Sequence, residues 1–279
     1  MHNFNHIHHV SGNYLKDFHQ TYSPVFILNT GRSGSAFIQN VFSRFPSLDA
    51  HHEAFPNLFL YSNFAFHNQE NSETLQHIFN AARIELLLKA KVSGKIYLES
   101  NQCLVFYIYQ IKQLFPNAKF VHLTRHPGDF VRSAIMKGWH KNDSVWEKGR
   151  IRVADDEQWL KMNQIERLGW VWKETHNFIE KFKEQYPSNC YTLRLEDLVN
   201  SSNELVKLLD FIEVENNFKV KDLNNFLSKK VNKISISKNE PANMFKLNSY
   251  PKYNNWTNED KNYLHSHVSD LSEKYSYTI

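Results

Sequence analysis

The chain has 279 residues, 41% hydrophobic and 22% charged, with only 8 Gly and 8 Pro, which excludes collagen-like, low-complexity and disordered classes. Its 33 basic and 29 acidic residues leave a net charge of +4, with an isoelectric point near 8.8. That balance favours an anionic ligand but is too small and too dispersed to indicate a nucleic-acid partner. At about 150 residues per domain the length allows two domains. The order of elements nevertheless reads as one.

The first residues are polar and rich in histidine (His2, His6, His8, His9, His19), without the carboxylate or cysteine partners a metal site needs, so residues 1–22 read as a mobile lead-in. From Val25 the pattern changes: Val25 to Leu28 is a strand-like apolar run, Asn29 to Ser35 a Gly/Ser turn, and Ala36 to Phe45 a helix stopped by Pro46. A long helix follows from Glu73 to Lys91, with Ser72 as the expected N-cap, and Gly94 breaks it before the strand Ile96 to Leu98. A helix over Leu104 to Phe115, a strand over Lys119 to Thr124 and a helix from Pro127 to near Gly138 continue the alternation. Residues 139–156, with Trp139, His140 and Trp146, read as irregular, before one amphipathic helix from Glu157 to Tyr186 and the strand Cys190 to Arg194. Asn232 to Asn255 reads as a loop or lid, and Thr257 as the cap of a closing helix that runs to Lys274.

Helices alternating with short strands imply right-handed crossovers and a mainly parallel sheet, so the expected fold is a single-domain α/β three-layer sandwich with helices on both faces. Cys103 and Cys190 have neither zinc nor redox spacing and are expected to be two buried thiols. Met1 to Val10 lacks the pattern of a secretory signal, and the longest apolar run, Cys103 to Tyr109, is far short of the roughly 20 residues of a membrane span. A cytoplasmic location without a membrane span is the expectation.

Two segments carry chemistry. In Asn29-Thr30-Gly31-Arg32-Ser33-Gly34-Ser35-Ala36-Phe37, two glycines let backbone N–H groups converge at the opening of a helix whose dipole favours an anion. The loop is shorter than a Walker A loop and has Ser35-Ala36 where Lys-Ser/Thr would stand, which disfavours a kinase or ATPase. By itself the segment also fits an ordinary turn with a solvated Arg32. In the second segment, Val121 to Ser133, Arg125 ends a strand and Ser133 follows on the next helix. In open α/β sheets ligands sit outside the carboxyl ends of strands, so both segments share one rim and imply a ligand with two separated phosphate-type groups. Arg125 and Ser133 taken singly also fit a salt bridge and a packed helix serine.

Together these segments resemble the phosphosulfate loop and the 3′-phosphate site of the sulfotransferase superfamily, closer to its glycan- and tyrosine-directed branch than to its cytosolic small-molecule branch. Leu114 to Val121, Leu193 to Leu198 and Trp256 to Asp260 add to the resemblance, which spans Val25 to Tyr277. It implies a P-loop-like topology, a sulfotransferase domain over residues 23–279, the donor 3′-phosphoadenosine-5′-phosphosulfate (PAPS), and sulfuryl transfer to a hydroxyl or amine without a metal. By the same resemblance Gly31, Arg32, Ser33, Gly34, Ser35, Ala36 and Phe37 hold the 5′-phosphosulfate, Arg125 and Ser133 hold the 3′-phosphate, and Arg32 stabilises the charge that develops during transfer.

Glu53 stands where several glycan- and tyrosine-directed members carry a catalytic glutamate and is the first choice for general base, provided it is partly desolvated; His52 is second. One departure is Ser100, at a position where many relatives carry Lys. Glu99 reads as a structural partner, and Lys252 or Lys246 as late residues able to close over the phosphates. The Phe55 to Phe66 stretch and Trp139-His140 supply aromatic faces, at spacings more usual for core than for cleft. Trp170 and Trp172 read as core. The expected acceptor is a small molecule or, preferentially, a glycan; the oligomeric state stays open. The rival readings are a nucleotide-dependent phosphotransferase and a catalytically degenerate protein that binds an anionic ligand.

Overall fold

The computed structural model describes residues 12–141, 145–215, 217–228 and 250–279. Its elements in chain order are α1 (Gly12–Thr21), β1 (Val25–Leu28), α2 (Ser35–Phe42), β2 (Leu48–His52), α3 (Ser62–His67), α4 (Ser72–Val92), β3 (Ile96–Ser100), α5 (Ile108–Leu114), β4 (Lys119–Thr124) and α6 (Pro127–Ile135). They continue with α7 (Val145–Lys148), α8 (Asp156–Lys161), α9 (Gln164–Gln185), β5 (Cys190–Arg194), α10 (Leu195–Asn200), α11 (Ser202–Phe211), α12 (Val220–Ser228) and α13 (Asn258–Lys274).

The five strands among the described residues form one sheet in the order β2-β3-β1-β4-β5, every pair parallel. From β1 the chain winds outward to β2 and back to β3, then crosses to β4 and β5 on the other side. The winding therefore reverses beside β1, where open α/β sheets bind their ligands. Strand side chains alternate between faces: Phe26, Leu28 and Phe120 join the helices on one side, whereas Val25, Ile27, Val121 and Leu123 pack with α2, α11 and α12 on the other. All four residues of β1 are buried, as a central strand covered on both faces requires.

Several sequence expectations need correction. The expected lead-in contains α1, whose Phe18, with Tyr22 just after the helix, is buried against Phe115 and neighbouring residues; the residues before Gly12 lie outside the described ones. The helix expected from Glu157 to Tyr186 is two helices, because Met162 is extended and Asn163 starts α9 with a capping box to Glu166. Asn71, not Ser72, precedes α4 as its N-cap; Ser72 Oγ instead bonds Gln113. The run after β3 begins as a 3₁₀-helix over Gln102–Tyr107 before α5. Strand β2 is absent from the sequence expectation. Of the expected lid, residues 232–249, Lys246 among them, lie outside the described residues.

Thr257 does cap α13, accepting from the Asp260 N–H. Both cysteines are free; Cys103 is buried and Cys190 only half-buried. Trp172 is fully buried, as expected. No helix among the described residues is long and apolar enough to cross a membrane.

Candidate active site

The carboxyl end of β1 runs straight into the Gly31 to Ser35 loop. Asn29 holds the turn in place: its Oδ1 accepts from the Gly31 N–H at 2.8 Å, and its Nδ2 donates to Ile27 O at 3.0 Å. Gly31, Arg32 and Gly34 all have positive φ (71°, 50° and 88°), so three residues in four turn the backbone left-handed. The glycines are required there for a second reason. A Cβ on Gly31 would lie 2.3 Å from Gln102 Oε1 and 2.7 Å from the Trp139 ring, and one on Gly34 would lie 2.7 Å from Leu195. Arg32 is not a glycine and is held in a sparsely populated conformation, a cost that persists at sites where the surroundings over-determine the backbone.

Gly34 is the N-cap of α2 and no side chain among the described residues caps that end, so the first N–H groups of the helix stay available to an anion. Ser33 is fully buried, yet its Oγ has no hydrogen-bond partner among the described residues. A buried hydroxyl is seldom left so without a function. Ala36 follows in the first turn, and Phe37 anchors α2 in the core below.

Arg125, one residue past β4, reaches over the loop and its Nη1 donates to Arg32 O at 2.6 Å. Arg32 Nε donates to Ser133 Oγ on α6 at 3.1 Å. The two segments singled out in the sequence therefore meet side chain to side chain, although 93 and 101 residues separate the bonded partners. Burial pushes the Arg32 pKa down, and the neighbouring Arg125 guanidinium pushes it further, with Glu53 opposing. Two cations crowded together in a partly dry place, beside an orphaned hydroxyl and a free helix N-terminus, are stabilised when an anion arrives.

His52, the last residue of β2, also faces the loop: its Nε2 lies 2.9 Å from Ser35 Oγ. Ser35 Oγ thus has a side-chain partner within the protein. Glu53 continues the sheet through its N–H to Ser100 O at 3.1 Å and then turns away with φ 47°. Its carboxylate is exposed rather than desolvated as expected, and accepts from Gln102 Nε2 at 3.2 Å. Ser100 is buried, with Oγ 3.5 Å from Asn29 Nδ2. Lys252 is exposed. Its segment docks on α6 through Arg132 Nε to Tyr250 O and through the Tyr253 ring against Gly128, but no described contact joins Lys252 to the loop.

The aromatic residues divide differently from expectation. Trp139 packs on Gly31 and carries the Arg150 guanidinium 3.5 Å above its ring. With Asn29, Thr30, Gln102 and Cys103 this pair lines a cavity of about 30 Å³, room for about one water. Phe55, expected nearer the core, is 82% exposed, and Tyr61 is 52% exposed. Gln102 and Arg150 carried no signal in the sequence; both join the site through tertiary packing. Among the described residues no group of histidine, cysteine or carboxylate side chains is placed to hold a metal.

Over residues 24–218 the sequence matches the profile of the sulfotransferase family. The chain belongs to the sulfotransferase family. No curated protein matches this sulfotransferase by sequence. Solved structures share its fold. The sulfotransferase domain from the curacin biosynthetic pathway is 18% identical with a TM-score of 0.54, covering 93% of this chain and 99% of its own. The sulfotransferase domain from the Synechococcus PCC 7002 olefin synthase is 15% identical at 0.52, covering 92% and 97%. Mouse sulfotransferase SULT7A1, solved with PAP, is 12% identical at 0.50, covering 95% and 93%. The expected family and the α/β fold both stand, and the family makes this an enzyme that transfers sulfuryl groups.

Proposed function

We propose that this sulfotransferase takes the sulfuryl group from PAPS and transfers it in line to a hydroxyl of a carbohydrate or glycoconjugate. The observation that carries the donor assignment is the Arg32, Arg125 and Ser133 cluster over the loop, with its crowded guanidinium groups and the unpartnered Ser33 hydroxyl beside it. These residues fit a ligand with two anionic groups. The loop N–H groups from Ser33 to Phe37, with Ser33 Oγ, suit the 5′-phosphosulfate, and Arg125 and Ser133 suit the 3′-phosphate. When bound, the donor supplies the sulfuryl group and a phosphate leaving group.

The protein's own part is to orient and to move charge. Arg32 presents its guanidinium where negative charge accumulates on the transferring and leaving oxygens, preorganised by Ser133. Glu53 takes the acceptor proton, with its carboxylate held by Gln102 beside Gly31. His52 steadies the Ser35 hydroxyl rather than serving as the base. Ser100, within reach of Asn29, supports the loop.

The glycan preference rests on Phe55 and Tyr61, exposed aromatic faces close in sequence to Glu53 that suit a sugar ring. Glu53→Gln keeps donor binding and loses turnover by roughly 10²–10⁴-fold if Glu53 is the base. The donor reading is tested by calorimetric titration with 3′-phosphoadenosine 5′-phosphate (PAP), ADP, and ATP with Mg²⁺. Tight binding of the first alone is expected. Preference for ATP with Mg²⁺ would point to phosphoryl transfer, and absence of binding to a degenerate ligand-binding protein.

A further inference from the structure

Glu53 follows directly on an edge strand, has positive φ and lies in solvent, a poor platform for a base that must meet its acceptor within a few tenths of an ångström. The segment just beyond Glu53, by contrast, is held from inside the protein. Glu99 and Arg83 are both fully buried and pair through two bonds, Arg83 Nε to Glu99 Oε2 at 2.7 Å and Nη2 to Oε1 at 2.9 Å. The pair does more than neutralise itself. Glu99 Oε1 accepts from the Ala54 N–H at 3.1 Å, Arg83 Nη2 donates to Ala54 O at 3.1 Å, and Arg83 Nη1 donates to Pro56 O at 2.8 Å. Both polar backbone groups of the residue after Glu53 are thus gripped by one ion pair.

The same carboxylate governs the partner of the Glu53 side chain. Glu99 Oε1 accepts from Asn101 Nδ2 at 2.9 Å, while Asn101 Oδ1 accepts from the Cys103 N–H at 2.8 Å and so caps the 3₁₀-helix that opens at Gln102. Gln102 in turn donates to Glu53 Oε1 and lies against Gly31. Tyr97 completes the shell by donating to Glu99 Oε2 at 2.7 Å.

We propose that the buried Arg83–Glu99 pair is the positioning device of the reaction: it fixes the Glu53 backbone through Ala54 and Pro56, and the Glu53 carboxylate through Asn101 and Gln102. Arg83 and Glu99 are positioning residues and touch no reacting atom. The proposal rests on the reading of Glu53 as base. A buried ion pair between strand and helix is a costly way to gain stability alone, since well-packed apolar residues serve as well or better. A pair that also bonds Ala54 N–H, Ala54 O and Pro56 O, in the loop that leaves the base, accounts for its presence here.

The test uses Arg83→Lys, Glu99→Gln, Asn101→Ala and Gln102→Ala in the full chain, beside Glu53→Gln. PAP affinity by calorimetry and thermal melting report the integrity of each variant. Two readouts report position. One is the carboxyl ¹³C resonance of Glu53, assigned by its loss in Glu53→Gln and followed through a pH titration. The other is the rate of ³⁵S transfer from PAPS to 4-nitrophenol and to an N-acetylglucosamine oligosaccharide. We expect unchanged PAP affinity, a displaced Glu53 resonance, and turnover lowered about 10²-fold, with the acceptor KM little moved.

Arg83→Lys, which keeps the charge but loses the fork, should fall between Glu99→Gln and the parent. If Glu99→Gln does not fold, Asn101→Ala and Gln102→Ala still cut the side-chain arm and carry the test. An unmoved Glu53 resonance in folded clamp variants overturns the proposal, as does unmoved turnover where Glu53→Gln has lost it. Unchanged turnover in Glu53→Gln overturns the base reading instead, and the resonance then decides separately whether the clamp holds that loop.

Discussion

Arg32 joins the two segments of the site, because its carbonyl serves Arg125 and its guanidinium serves Ser133. Arg32→Ala should lower turnover by about 10²–10³-fold, the usual effect of removing one donor to developing negative charge, with a smaller loss of PAP affinity. Comparing single-turnover rates with calorimetry separates the two effects; equal losses in both would make Arg32 a ground-state ligand only. Arg125→Ala should weaken PAP about 10–100-fold, the value of one charge-assisted bond of about 1.5–3 kcal/mol, and leave ADP almost unaffected. Equal weakening of both nucleotides would move the 3′-phosphate elsewhere. Phe55→Ala should raise the KM of a carbohydrate acceptor several-fold without altering kcat, because the ring offers a stacking face and no chemistry. These residue types were legible in the sequence because glycine pairs, an arginine after a strand and a serine on the next helix are local signals. Gln102, Arg83 and Arg150 were not, because nothing within a few residues of each distinguishes it from ordinary polar surface.

At the scale of elements, the strands facing both helical layers read clearly, since Val25 to Leu28 and Lys119 to Thr124 are short runs rich in apolar residues bounded by turns. Strand β2 did not, because Leu-Asp-Ala-His-His has a single large apolar residue and no β-branched one; it is a strand because β3 supplies a parallel partner from Ile96 to Ser100. That missed strand matters for chemistry: it carries His52 to Ser35 and delivers Glu53 to the rim. Helix starts show the same dependence. Asn163 makes a full capping box, so Asn163→Ala should cost about 1 kcal/mol and lower Tm by about 2–4 °C. Ser72→Ala should be nearly neutral, because the exposed Ser72 hydroxyl bonds Gln113 and caps nothing. Calorimetric melting of both variants checks the contrast.

At the scale of the whole molecule, three of the described histidines lie in the interior. His122 and His176 sit 2.7 Å apart between β4 and α9, and burial holds His122 down at about 4 and His176 well below its usual range, with His122 adding to the effect on His176. His140 is held at about 3 by burial and then by Arg150 and Arg167. In the unfolded chain each titrates near 6.5. Below that pH the unfolded state therefore binds protons that the folded state refuses, and stability falls as pH falls. The window runs from about 6.5 down to about 4 for His122 and about 3 for His140, with a slope of up to about 1.4 kcal/mol per pH unit for each group and no contribution above about pH 7. Denaturant midpoints taken from pH 8 to 4 should be level and then decline, and His176→Gln should make the decline shallower. A decline that begins only below pH 4 would assign it to carboxylates instead.

The alternation of helices and strands, the Gly31 to Ser35 loop and the family are all written in residues close along the chain: strand periodicity, paired glycines at a helix start, an arginine ending a strand. Which of those residues act together is a matter of tertiary packing. The parallel register of β1 with β4 brings Arg125 and Ser133 onto the Arg32 loop, and the register of β2 with β3 sets Glu53 above Ser100. The Arg83–Glu99 pair closes on the loop beyond Glu53 from a helix whose pattern shows only an amphipathic surface. Local propensity and spacing act over a few residues, whereas register, burial and charge pairing arise only when distant segments share one sheet edge.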